Sequence, residues 1–141
     1  MDIQQIDGFT TVGRETRTSN EKEMNGEGTI GQLWDSKLPI GSPIVAVYSE
    51  YQSNKDGEYS YLLGRKLGED EPLPQQMAHR RVVSGKYLRL EFTGEISPAA
   101  VVGLWQQVWD METQGQIQRT YKTDFELYGA NGFELFVGVK D

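Results

Sequence analysis

Residues 121–141 read Y-K-T-D-F-E-L-Y-G-A-N-G-F-E-L-F-V-G-V-K-D. Two β-prone runs flank Gly129-Ala130-Asn131-Gly132, and Asn-Gly between such runs is a strong hairpin signal because both residues tolerate positive φ. Period-two alternation puts Asp124, Glu126 and Tyr128 on one face of the first run and Phe125 and Leu127 on the other. That alternation leaves two placements for Glu126: solvent, with Phe125 and Leu127 facing the core, or an interior position beside aromatic rings.

Working outward, the chain has 141 residues, 37% hydrophobic and 25% charged, the size and balance of one soluble globular unit. A single domain over residues 1–141 is expected. Apolar runs such as residues 44–48 are too short to span a bilayer, and residues 1–7 lack the basic and apolar regions of a secretion signal. These features predict a cytoplasmic protein with no membrane contact. The absence of cysteine removes disulfides, thiolate metal sites and cysteine nucleophiles together. A net charge of −7 and a pI of about 4.7, with only Arg65-Lys66 and Arg80-Arg81 as basic clusters, work against a direct nucleic-acid surface and suit a cationic ligand.

In chain order, residues 6–18 read as a strand and the polar, glycine-rich residues 19–28 as a loop. Ile30, Leu33, Trp34 and Leu38 recur at helical spacing before Pro39, which predicts a helix of about ten residues. A strand over residues 44–51, a turn at Asp56-Gly57 and a strand over residues 58–64 follow, the last with Tyr59, Tyr61 and Leu63 on one face. After the short linker of residues 68–74, strands are predicted over residues 77–83 and 86–93. Ser97-Pro98 is a helix start, and Val101, Leu104, Trp105 and Val108 form the apolar stripe of a helix over residues 98–114 that Gly115 closes.

The order strand, helix, strand, hairpin strand occurs twice, as pseudo-repeats over about residues 6–67 and 77–140. Leu33-Trp34 echoes Leu104-Trp105, and Tyr48-Ser49-Glu50-Tyr51 echoes Phe125-Glu126-Leu127-Tyr128, which aligns Ser49 with Glu126. The expected fold is α+β: a duplicated strand-helix-strand-strand unit of SHS2-like type, with two main helices on one side of antiparallel sheets and a groove between the halves. Trp34 and Trp105 face either this groove or the core. Trp109, one residue off the stripe, is either at the groove edge or partly exposed.

Taken together, D-F-E-L-Y at residues 124–128, the Leu-Trp helices and the duplicated order resemble the GyrI-like effector-binding family over nearly the whole chain. These are the ligand-binding domains of AraC-type and MerR-type multidrug regulators, found also as free-standing modules such as integron-cassette proteins that bind cationic drugs. The resemblance implies that Glu126 lies at the bottom of an aromatic pocket walled by Tyr48, Tyr59, Tyr61, Trp105 and Tyr128, with Trp34 and Trp109 nearby. It implies hydrophobic cations as ligands, no cofactor, and a possible protein partner, either a DNA-binding regulator or gyrase. Two other activities occur among such proteins: hydrolysis of strained electrophilic natural products through the pocket glutamate, and inhibition of gyrase by protein contact. Against catalysis, the chain has no cysteine, no G-x-S-x-G, and one histidine, His79, beside Arg80-Arg81. Neither zinc-ligand nor EF-hand spacing is present, so no metal is expected.

Overall fold

The computed structural model describes residues 1–34 and 43–140. In chain order the described elements are β1 (Asp2–Ile6), β2 (Phe9–Ser19), α1 (Asn20–Met24), α2 (Ile30–Trp34), β3 (Ile44–Ser49), β4 (Glu58–Lys66), β5 (Ala78–Val82), β6 (Gly85–Thr93), α3 (Pro98–Thr113), β7 (Arg119–Gly129) and β8 (Gly132–Val139). All eight strands join one antiparallel sheet in the order β1-β6-β8-β7-β3-β4-β2-β5. The architecture is α+β, and a single continuous sheet replaces the separate sheets expected from sequence.

At the centre, β3 and β7 pair with Ala46 opposite Glu126 and Val47 opposite Phe125. Alternation along these strands divides the interior. Ala46, Tyr48 and Tyr128 join Leu104, Trp105 and Val108 of α3 in one cluster, against which Ile30 and Leu33 of α2 also pack. Val45, Val47 and Phe125 face the other way and meet Leu62, Val82, Tyr87 and Phe136.

The second cluster exists because the sheet curls. Three strand steps separate β2 from β7, about 14 Å in a flat sheet, yet the rings of Phe9 and Phe125 lie 5.2 Å apart. Gly13 and Gly64, opposite one another on β2 and β4, make the bend possible. A Cβ at Gly64 would stand 1.8 Å from the Val12 carbonyl oxygen, so no larger residue fits.

Several local expectations need correction. The strand expected over residues 6–18 is β2, which begins at Phe9 after Asp7-Gly8, and β1 before it has no counterpart among the expected strands. The stretch expected as a loop contains α1, which Ser19 caps by accepting the Lys22 amide at 3.2 Å. The helix expected to reach Leu38 is described from Ile30 to Trp34, and its remaining expected residues lie outside the described ones. The second helix starts where Ser97-Pro98 predicts, with Ser97 accepting the Ala100 amide at 3.1 Å. In the last hairpin Gly129 pairs with Gly132, so Ala130-Asn131 rather than Asn-Gly forms the turn. Gly132 begins β8 with φ at 149°, where a Cβ would meet the Phe92 carbonyl oxygen at 2.0 Å.

Candidate functional site

Glu126 has no solvent exposure. Its neighbours across the sheet are Ala46 on β3 and Leu135 on β8, and the small Ala46 leaves room for the carboxylate to stand above the sheet. The Trp105 indole N–H donates to Glu126 Oε2 at 2.8 Å and the Tyr48 hydroxyl to the same oxygen at 3.0 Å. The Tyr128 hydroxyl donates to Oε1 at 2.7 Å. Two strands and one helix thus converge on one acid: β3 through Tyr48, β7 through Tyr128 and α3 through Trp105.

Around this first ring of donors stand more aromatic groups. Tyr48 packs against Tyr59 (5.3 Å between ring centroids), Tyr61 (5.1 Å) and Trp105 (4.9 Å), mostly edge to face. Tyr59 and Tyr61 come from β4, brought to this face by the Tyr48–Tyr61 register of β3 and β4. The Tyr59 hydroxyl donates to Asn20 Oδ1 at 3.1 Å. Trp34 lies outermost: its indole N–H donates to the Tyr61 hydroxyl at 3.0 Å and its ring meets Tyr128 edge-on at 4.9 Å. At 37% exposure it is the most open of the eight candidates that sequence selects, so it is a cover over the cup and not part of the core. Trp109 is half-buried, 6.5 Å from Trp105, and its buried indole nitrogen has no hydrogen-bond partner among the described residues. It sits behind Trp105 and contacts no Glu126 oxygen.

A chain of short contacts holds α2 in place. Glu23 of α1 accepts the Thr18 hydroxyl and, at 3.0 Å, the Thr29 amide, while Thr16 and Thr29 share a hydrogen bond at 2.6 Å. These ties fix the residues just before Ile30 to β2 and so aim Trp34 at the tyrosines.

Electrostatically, burial raises the Glu126 pKa above the ordinary glutamate value, and the three donors pull it back only in part. Burial likewise raises Tyr48, Tyr61 and Tyr128 well above the usual phenol value, with the nearby Glu126 carboxylate adding to it. The tyrosines therefore stay neutral donors. Among the described residues no lysine or arginine pairs with Glu126.

Among the described residues, the one buried cation nearby is committed elsewhere. Arg119 Nη2 donates to Asp124 Oδ2 at 2.7 Å, both side chains being almost fully buried, and Tyr51 O–H donates to the same oxygen. Asp124 Oδ1 accepts the Gly138 amide at 2.8 Å. The Arg119 guanidinium lies over the Tyr121 ring at 4.3 Å and the Trp105 ring at 5.4 Å, so it also supports the indole that binds Glu126. Sequence reasoning missed Arg119, Tyr51 and Tyr121, and it gave Asp124 no role. Five positions apart on a regular strand, Arg119 and Asp124 would face opposite sides. They meet because β7 bulges, spending five residues where β8 spends two.

The expected equivalence of Ser49 and Glu126 is also corrected. Ser49 follows Tyr48 on β3, and Tyr48 faces Glu126, so Ser49 faces the opposite side of the sheet, paired with Thr123 and Ser60. A one-residue slip in an alignment of strands reverses every face. His79 is exposed on β5 and lies among none of the residues around Glu126. No group of three His, Asp or Glu able to hold a metal occurs among the described residues, nor does a helix long and apolar enough to cross a membrane.

Comparison with known proteins bears on this arrangement. An integron cassette protein from the mobile metagenome of Vibrio cholerae has the same fold with a TM-score of 0.84 and 32% identity, over 99% of this chain and 95% of that one. SAV2435, solved bound to tetraphenylphosphonium, superposes with a TM-score of 0.72 at 20% identity over 99% of this chain and 93% of that one. A putative transcriptional regulator, YobU of Bacillus subtilis strain 168, is 29% identical over 142 aligned positions, covering 92% of this chain and 86% of that protein. The family described as integron-associated effector binding protein (Cass2) matches residues 2–139. The chain therefore belongs to the integron-associated effector-binding protein family.

Proposed function

We propose that the protein is a non-enzymatic binding module for hydrophobic cations, which it takes up over Glu126 inside the aromatic cup. One observation carries the reading: a fully buried carboxylate surrounded by tyrosine and tryptophan donors and, among the described residues, by no counter-cation of its own. An unpaired buried charge is costly, and a ligand cation supplies the missing partner. Ring faces of Tyr59, Tyr61 and Trp105 then hold the apolar part of the ligand through burial and cation–π attraction. Because Glu126 is sealed from solvent, ligand entry requires a side chain to move, and Trp34 of α2 is the group on the outside.

Each Glu126 oxygen already accepts an aromatic donor, which favours a charge sensor over a general base that must hold and orient water. We further read the chain as one domain built from two related units, β2-α2-β3-β4 and β6-α3-β7-β8. In support, the strands of the two units occupy corresponding places on either side of the β3–β7 pair. Partnership with a DNA-binding regulator belongs to the same reading and rests on the family alone.

Tetraphenylphosphonium is the natural probe. Calorimetric titration of the parent should show saturable binding, with the compound recovered unchanged. Glu126→Gln keeps the shape and removes the charge, so affinity for the cation should fall roughly tenfold or more, about 1–3 kcal/mol for a charge-assisted contact. Neutral triphenylphosphine oxide should bind parent and variant alike. Equal affinity of parent and variant for the cation would sink the proposal.

A further inference from the structure

A cleft of about 600 Å3 opens behind the strand face that carries Glu126, where β5 folds against the ends of β3 and β7, and it contains none of the eight candidate residues of the cation site. At its wall is Ser49, 4% exposed, whose buried Oγ has no hydrogen-bond partner among the described residues. A buried hydroxyl without a protein partner is uncommon in a native protein and calls for a partner from outside the chain, water or ligand.

The charge of the cleft runs against that of the molecule. In a chain of net charge −7, the cleft is lined by Arg80, Arg81 and Lys122, with His79 beside them. Arg80 is engaged by Glu15 and by Glu50, the one carboxylate in the lining. Arg81 and Lys122 are exposed, and among the described residues neither has a carboxylate partner. Both residues line the cleft, and Arg81 Nη1 also donates to the Thr10 hydroxyl at 3.4 Å.

Backbone strain gathers here too. The non-glycine residues at positive φ among those described are Glu50 (φ 51°) and Tyr121 (φ 55°), and both line this cleft. Tyr51 and Tyr121 meet edge to face, with centroids 5.4 Å apart, and both line the cleft, with the Arg119 guanidinium against each ring.

We propose that this cleft is a second ligand site, selective for a small organic anion that carries a ring. Arg81 and Lys122 supply the counter-charge, Ser49 Oγ, sealed in the unliganded chain, donates to an oxygen of the ligand once a neighbouring side chain moves, and the ring lies against Tyr51 and Tyr121. The volume lies in the range of small-molecule sites. This inference is independent of the cation site, since it uses other residues and the opposite charge.

The test is titration of the full chain with phenyl phosphate, followed by calorimetry and amide NMR. Saturable binding is expected, with the largest shifts at Ser49, Lys122 and Thr123. Phenol and inorganic phosphate should each bind more weakly, because one lacks the charge and the other the ring. Arg81→Gln with Lys122→Gln, both exposed positions, should weaken phenyl phosphate about tenfold or more with an unchanged melting temperature. Ser49→Ala should weaken it several-fold, and Glu126→Gln should leave it unaltered. The proposal fails if binding does not saturate, if the shifts centre on Glu126, or if phenol or inorganic phosphate binds as tightly. It fails equally if the double variant or Ser49→Ala matches the parent.

Discussion

Three donors meet the Glu126 carboxylate, yet burial still holds its pKa above the usual value, and this opposition sets the pH behaviour of the protein. A carboxyl whose folded pKa exceeds its unfolded value, about 4.3, binds its proton more tightly in the folded state. Its contribution to stability is complete below the unfolded value and is lost as pH rises through the folded value. Urea unfolding of the parent, compared with Glu126→Gln at stepped pH, should therefore show the parent losing ground to the variant over that window. Cation binding runs the other way, because only the ionised acid attracts it: tetraphenylphosphonium affinity should rise with pH in the parent and stay flat in Glu126→Gln. A flat parent curve would mean that Glu126 keeps its charge, or does not meet the ligand. Placement of Glu126 on the face of Tyr128 was legible from alternation in D-F-E-L-Y, and the shared face of Tyr59 and Tyr61 from alternation in β4, whereas the tyrosines around Glu126 were implied by the family resemblance. The indole bond from Trp105 was not, since it depends on where α3 lies over the sheet, which no local pattern records.

At the scale of the element, β7 carries both the candidate site and its main structural risk. Asp124 and Arg119 are buried on the same face as Glu126 and tied to each other. Arg119→Met fills similar space but strips Asp124 of its counter-charge, leaving the Gly138 amide and the Tyr51 hydroxyl as its partners. Breaking a buried pair from one side costs about 3–5 kcal/mol. A drop of that order in urea-derived stability is expected for Arg119→Met, with part regained in Arg119→Met combined with Asp124→Asn. A loss below about 1 kcal/mol, the range of surface pairs, would show that the pair contributes little. Sequence periodicity could not reveal the pair, because only a bulge puts residues of odd spacing on one face. The same limit hid α1, a single capped turn in a polar stretch with no apolar repeat. Helix α3 was legible because Ser97-Pro98 and a stripe of Leu104, Trp105 and Val108 act together.

For the whole molecule, the order of strands lay beyond the sequence: the elements could be enumerated, but curling of the sheet at Gly13 and Gly64 depends on contacts between distant segments. Net charge was fully legible, and it bears on how a cation arrives. A body of charge −7 surrounds itself with a negative potential that speeds the approach of cations, whereas residence time is governed by contacts inside the cup. Salt separates the two effects, since the Debye length shortens from about 30 Å at 0.01 M to about 3 Å at 1 M and screens the outer field far more than a buried contact. In stopped-flow measurements with tetraphenylphosphonium, the association rate of the parent should fall several-fold over that range while the dissociation rate changes little. Glu126→Gln changes the total charge by one, so its association rate should show nearly the same salt dependence, and its weaker binding should appear as faster dissociation. If the variant instead loses its affinity through slower association, Glu126 acts as part of the outer field and not as the buried partner of the ligand.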